Sequence, residues 1–246
     1  MLPHLPDGFT TVVTGASGGI GGAIIDALIA SGRPARIVAV SRELVSRDDP
    51  RVESVVADIT SAEGLEALSV QLAGAPVHLL FNAIGLLHDQ THGIAPEKRL
   101  DDLDGDSMSA LLQVNAVTPV LLLKALQPNL KGRHPVLVAS LSARVGSIGD
   151  NHLGGWYGYR ASKAAHNMLM KTAAIELKRL NPQLIVTCLH PGTTDTRLSQ
   201  PFQSRVPTGK LFTPAFVAER LLAVLGEREI SHSGRFYDWA GDEIPW

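Results

Sequence analysis

Tyr159 and Lys163 stand four residues apart in Trp156-Tyr157-Gly158-Tyr159-Arg160-Ala161-Ser162-Lys163, which opens a run of helical apolar spacing through about Leu180. On a helix that spacing sets an ammonium beside a phenol, one turn apart on one face. A free tyrosine has a pKa of about 10, so at neutral pH only about one in a thousand is phenolate. Poising it near pH 7 to 8 takes roughly 3 to 4 kcal/mol, and a unit cation about 4 Å away supplies roughly 4 kcal/mol at an effective dielectric of about 20. Such a pair is a general acid or base tuned by its neighbour. Tyr157 has no such partner, because Ala161 stands four residues on. A surface helix that carries Tyr and Lys by accident shows the same spacing, so the chemistry depends on what surrounds it.

The elements that must position the pair begin at Thr10-Thr11-Val12-Val13-Thr14, a short β-branched strand running into Gly15-Ala16-Ser17-Gly18-Gly19-Ile20-Gly21-Gly22. Residues 23–30 then have helical spacing and stop at Ser31-Gly32. Strand, glycine loop and helix in that order suit a pyrophosphate: glycines let backbone N–H groups approach a ligand, and the helix start adds positive potential. Two spacings are satisfied at once, Thr-Gly-x-x-x-Gly-x-Gly through Gly15, Gly19 and Gly21, and Thr-Gly-x-x-Gly-x-x-Gly through Gly18 and Gly21. Residues 35–40 read as a second strand ending at Ser41-Arg42. An acidic residue here accepts from a ribose 2′-hydroxyl, whereas an arginine accommodates a 2′-phosphate. Ser41 and Arg42 as phosphate contacts therefore predict NADP(H), and the nearby Glu43 keeps NAD(H) possible.

Further strands are expected at 52–57, leading to Asp58-Ile59-Thr60, and at 77–81, ending in Asn82-Ala83-Ile84-Gly85. Residues 135–139 deliver Ser140-Leu141-Ser142, 184–189 yield His190-Pro191-Gly192-Thr193-Thr194-Asp195-Thr196, and 234–239 make a seventh strand. Helical spacing covers 61–73, 107–126 with Asn115 amid apolar neighbours, and 214–225. Asp58 is either a ligand contact or a cap for the helix from Ser61. His88 and His92 fall in a polar stretch without further metal ligands, so 86–100 reads as a loop over the cofactor and no metal is expected. Residues 197–212, rich in Pro and polar side chains, are placed to serve as a substrate lid.

Taken in that order, these signals resemble the short-chain dehydrogenase/reductase family from Thr10 to about Trp239. Asn82, Ala83 and Gly85 resemble its Asn-Asn-Ala-Gly motif, with Phe81 and Ile84 as departures, and Pro191-Gly192-Thr193-Thr194-Asp195-Thr196 matches its Pro-Gly-x-x-x-Thr loop. The insert between Ser142 and Tyr159, with its surplus in Asp150-Asn151-His152-Leu153-Gly154-Gly155-Trp156, and the Ile-Pro-Trp ending are similar to a subgroup around C-factor and the sniffer-type carbonyl reductases.

The resemblance implies one doubly wound Rossmann-type α/β domain over 1–246, with about seven mostly parallel strands and helices on both faces. It implies a hydride transfer between nicotinamide and a small-molecule carbonyl or alcohol. Tyr159 would be the general acid/base and Ser142, with Ser140 as runner-up, the hydroxyl on the substrate oxygen. Lys163 would lower the Tyr159 pKa and bind the nicotinamide ribose, and Asn115 would hold a relay water and stabilise a local bend. Cofactor contacts would come from Gly15, Ser17, Gly19, Ile20, Gly21, Asp58 beside the adenine, Ile59, Asn82, Ala83, Gly85, Pro191, Gly192, Thr194 and Thr196. Trp156 and Tyr157 would border the substrate pocket, and copies would pair through the two long helices. Two rivals remain: a sensor that binds the nucleotide with little turnover, and an epimerase or dehydratase of a longer branch, against which the chain length and the Pro-Gly-x-x-x-Thr loop both speak.

The chain's 246 residues are 45% hydrophobic and 19% charged with net charge −2, enough for one large core. No basic block points to nucleic acid. The lone Cys188 fits a reducing compartment, the N-terminus lacks a signal-peptide pattern, and no apolar run is expected to be long enough to span a bilayer, so a cytoplasmic protein is expected.

Overall fold

β-branched and apolar residues dominate the short runs that form β1 (Thr10–Thr14), β2 (Arg36–Ser41), β3 (Val52–Val56), β4 (Leu79–Asn82), β5 (Val136–Leu141) and β6 (Leu184–His190). In the computed structural model, which describes residues 1–246, they pair in parallel with a late strand, β9 (Arg235–Asp238), in the order β3-β2-β1-β4-β5-β6-β9. A separate short pair, β7 (Thr193–Thr194) and β8 (Leu211–Phe212), lies beyond β6. The central strands are continuous apolar runs because helices cover both faces. Leu137, Ala139 and Leu141 of β5 face one side, with α1 (Gly19–Ser31) and α6 (Pro214–Gly226); Val136 and Val138 face the other, with α2 (Ala62–Leu72), α4 (Thr118–Leu130) and α5 (Tyr157–Leu180). The order reverses between β1 and β4. In an open parallel sheet that reversal leaves a crevice at the strands' carboxyl ends, where ligands bind.

The helix expected over 107–126 is longer and interrupted. It runs as α3 (Gly105–Leu112), a π turn (Gln113–Val117) and α4, and the Thr118 N–H reaches back five residues to the Gln113 carbonyl. The sequence explains the widened turn. Pro119 has no N–H, so the Asn115 carbonyl four residues earlier loses its α-helical donor.

A second correction concerns the same run: Gly105–Leu130 is long and apolar enough to cross a membrane, with mean hydropathy 1.5. Here that apolarity serves the sheet. Leu122, Leu123, Leu126 and Leu130 are buried in the core beneath β4 and β5, and Leu111 packs near Tyr159. The segment over 197–212, placed as a lid, carries a 3-10 helix (Gln200–Arg205) and β8.

Candidate active site

The glycine loop is shaped by close approaches. Gly15 sits at φ +68°, and a Cβ there would lie 2.8 Å from the Ala83 carbonyl oxygen; a Cβ on Gly21 would lie 2.2 Å from the Gly15 oxygen. No side chain larger than hydrogen fits at Gly21. α1 then begins with its cap residue, Gly18, making no side-chain bond and with no acid in the first turn, while Ser17, Gly18 and Gly19 face solvent. Free N–H groups and an unneutralised helix start fit a pyrophosphate.

Other loops converge on this turn. A Cβ on Gly19 would stand 2.8 Å from Thr196 Cγ2, and one on Gly85 would stand 3.8 Å from Lys163 Nζ and 3.7 Å from Asn115 Oδ1. The turns after β1, β4 and β6 and the start of α5 thus share one cleft. Thr14 Oγ1 donates to Asn82 Oδ1 at 2.7 Å, and Asn82 Nδ2 to Ser140 Oγ at 2.8 Å, tying three strand ends together beneath it.

At the end of β2 the two predicted phosphate contacts part company. Ser41 is buried and its hydroxyl donates to the Glu43 carbonyl. Arg42 is exposed, and its charge helps hold the Asp58 carboxyl below its ordinary pKa, behind hydrogen bonds from the Thr60 side chain and backbone. The cap of α2 is Ser61, which accepts from the Gly64 N–H at 3.0 Å, so Asp58 is not needed as one. The Ile59 side chain is a core residue. Thr194 is likewise buried, its hydroxyl turned to the Pro191 carbonyl. Gly192, at φ +71°, closes this loop where a Cβ would meet the Phe212 ring at 2.7 Å.

Tyr159 and Lys163 are both buried on the inner face of α5. Lys163 Nζ donates to the Leu141 carbonyl at 2.9 Å and lies 5.8 Å from the Tyr159 ring centre. The pKa expected from spacing is reversed: burial pushes the Tyr159 phenol up, and burial lowers Lys163 to about 8, so the lysine is mainly a cation at neutral pH and loses its charge as pH rises through about 8. The same exclusion of water that strengthens an ion pair penalises each charge separately.

Ser142, at the end of β5, donates to Asn167 Oδ1 at 2.6 Å. Asn115 is fully engaged: its Oδ1 accepts from the Leu86 N–H at 2.7 Å, and its Nδ2 donates to the Leu86 carbonyl and Ser162 Oγ at 2.7 and 2.9 Å. It pins the turn after β4 to α5, and the bend lies at this residue.

Around Tyr159 lies an apolar cluster of Leu87, Ile94 and Leu111, flanked by Ala143, Val145, Leu198 and two aromatic rings. Trp156 meets Tyr159 edge-on at 6.2 Å and Phe202 of the 3-10 helix at 5.0 Å. Tyr157 is not part of it. Residues two apart on a helix point to nearly opposite sides, and Tyr157 lines a separate groove with Val145, Ile148, Arg160 and Ala164. Asn167 and Phe202 were not anticipated. Asn167 had a signal, since Tyr159, Lys163 and Asn167 recur every four residues; Phe202 had none.

The family described as short chain dehydrogenase matches residues 10–206. C-signal of Myxococcus xanthus is 32% identical over 183 residues, 74% of this chain and 100% of that protein. A 1-hydroxy-2-glutathionyl-2-methyl-3-butene dehydrogenase of Rhodococcus sp. (strain AD45) is 30% identical over 191 residues, 77% of this chain and 78% of its own. An NADPH-bound carbonyl reductase from chicken fatty liver superposes with a TM-score of 0.85 at 25% identity, covering 98% of this chain and 100% of that one. Carbonyl reductase Sniffer of D. melanogaster gives 0.83 over 98% and 100% of the two chains, at 20% identity, a likeness of fold alone. The glycine turn, the Tyr159–Lys163 helix and the Pro191 loop all fall inside the matched span, and the chain belongs to the short-chain dehydrogenase family, a nicotinamide-dependent oxidoreductase acting on carbonyl or alcohol groups.

Proposed function

We propose that the protein is an NADP(H)-dependent reductase of uncharged, apolar carbonyl compounds, with Tyr159 as its proton donor. The observation that carries this reading is the placement of Tyr159 and Lys163 on one buried helix face, with Lys163 beside Gly85 and Asn115 in the cleft of the glycine turn. Arg42, exposed at the end of β2, would take the 2′-phosphate, and the N–H groups at the start of α1 the pyrophosphate. Bound NADPH supplies a hydride to the carbonyl carbon.

The chain's own residues handle the oxygen. Tyr159 gives its phenolic proton to the oxygen as charge builds there, and Ser142 exchanges its Asn167 acceptor for the same oxygen. Burial pushes the Tyr159 phenol up, so the phenol carries its proton at neutral pH until the carbonyl oxygen takes it. The lining around Tyr159 is apolar, and the neighbouring guanidiniums are spent: Arg160 on the carbonyls of Val145, Gly154 and Gly155, Arg144 on Asp150 and Asp238. Neither guanidinium is left to receive a carboxylated or phosphorylated substrate.

Residues 197–212 act as the lid, with Phe202 closing on Trp156, within a single oxidoreductase domain spanning 1–246. The free, buried Cys188 suits the cytoplasm. Met168 and Ile175, exposed seven residues apart on α5, mark the face through which two copies would pair, a state that sedimentation would reveal.

The test is NADPH oxidation against aromatic aldehydes, aromatic ketones and 2-oxo acids. Turnover of the aromatic carbonyls and none of the acids is expected. Silence across the panel would leave a nucleotide-binding protein without this chemistry.

A further inference from the structure

α5 is 24 residues long, yet its cap residue Trp156 makes no side-chain cap bond and its first turn holds no acid. The missing cap comes from another loop. Glu97, in the stretch between β4 and α3, is 4% exposed, and both its carboxylate oxygens accept from the Gly158 N–H at 3.2 Å. Its backbone carbonyl accepts from the Trp156 N–H, so one residue grips the chain on both sides of Tyr157. No Lys, Arg or His forms an ion pair with Glu97. A buried carboxylate without a counter-ion is costly, and here only a backbone amide and the positive end of a long helix offset the cost.

The surrounding sequence is built to admit it. Trp156 adopts φ +53°, unusual for a bulky residue. Glycine at 158 leaves the carboxylate its place: a Cβ there would lie 2.7 Å from Glu97 Oε1 and 2.8 Å from Leu111 Cδ1, so one of those side chains would have to shift. The next residue is Tyr159, and the Trp156 ring rests against it.

We propose that Glu97 is a positioning residue for the reaction: it fixes the first turn of α5, and through that turn the Tyr159 phenol and the Trp156 wall of the substrate pocket. This rests on the reductase reading above. Glu97 touches neither the glycine turn nor Arg42, so its contribution falls on turnover and not on nucleotide binding.

The experiment compares Glu97→Ala and Glu97→Gln in the full chain, reading kcat and KM for an aromatic aldehyde, NADPH binding by fluorescence, and hydrogen exchange of the amides of residues 156–160. For Glu97→Ala we expect kcat to fall on the order of tenfold or more, as misplaced reacting groups produce, with NADPH affinity within about twofold and faster exchange confined to 156–160. Glu97→Gln, which keeps an acceptor oxygen for Gly158, should recover most of the rate. An unchanged kcat, a parallel loss of NADPH binding, or a Gln variant no better than Ala would overturn the proposal. If the wild type turns over no carbonyl, the reductase reading fails on its own; unaltered exchange at 156–160 in Glu97→Ala would then refute the capping role separately.

Discussion

Lys163 Nζ lies 5.8 Å from the centre of the Tyr159 ring and spends a hydrogen bond on the Leu141 carbonyl, 2.9 Å away. Two groups four residues apart on a helix therefore share a face without forming a tight pair. Burial sets both pKa values, raising the phenol and lowering the lysine to about 8.

A lysine that gives up its charge near pH 8 makes carbonyl reduction pH-dependent in a stated sense. Below about 8 the ammonium is present to support the developing phenolate; above it that support is lost. We expect kcat for reduction, at saturating NADPH, to fall as pH rises through this range. A flat profile to pH 9.5 would contradict the assignment.

Arg42 is the exposed cation at the end of β2, while Ser41 is turned inward. Arg42→Ala should weaken NADPH by about tenfold or more, the scale of a lost charge-assisted hydrogen bond, and leave NADH within about twofold. Equal losses for the two nucleotides in a direct binding titration would remove the 2′-phosphate contact.

His166 is fully buried on the inner face of α5 against the Asn115 backbone. Burial, with the nearby Lys163 charge, lowers its pKa to about 3. The unfolded chain takes up this proton below about 6.5 and the folded chain does not, so stability is present above that pH and is lost as pH falls toward 3. From pH 6.5 to 5 the loss amounts to about 2 kcal/mol for this one group. His190, lowered to about 4 chiefly by burial, adds to it. Urea unfolding of His166→Leu should show a smaller drop in stability between pH 7 and 5 than the wild type; an identical drop would contradict the account.

What the sequence made legible was local. The alternation of β-branched runs with helical spacing set the strand and helix order, because the glycines and prolines that punctuate it act on their own neighbours. Gly15, Gly21, Arg42 and the Tyr159–Lys163 spacing belong to that class. Contacts between distant segments were not legible. Glu97 caps a helix that begins 60 residues later, and Phe202 reaches Trp156 across the pocket. The sign of the Tyr159 shift was hidden for the same reason, since it depends on burial that only the assembled core creates. The bend at Asn115 lay between these cases. Pro119 predicts a missing donor, but the engagement of Asn115 with Leu86 and Ser162 is tertiary.

The central claim is that the phenolic hydroxyl of Tyr159 delivers the proton. Steady-state reduction of an aromatic aldehyde by Tyr159→Phe, with NADPH binding measured on the same sample, tests it most directly. The account predicts that turnover falls by at least about a hundredfold, the scale of a general acid, while NADPH affinity stays within about twofold. Residual turnover near the wild-type rate with NADPH still bound would show that another group donates the proton.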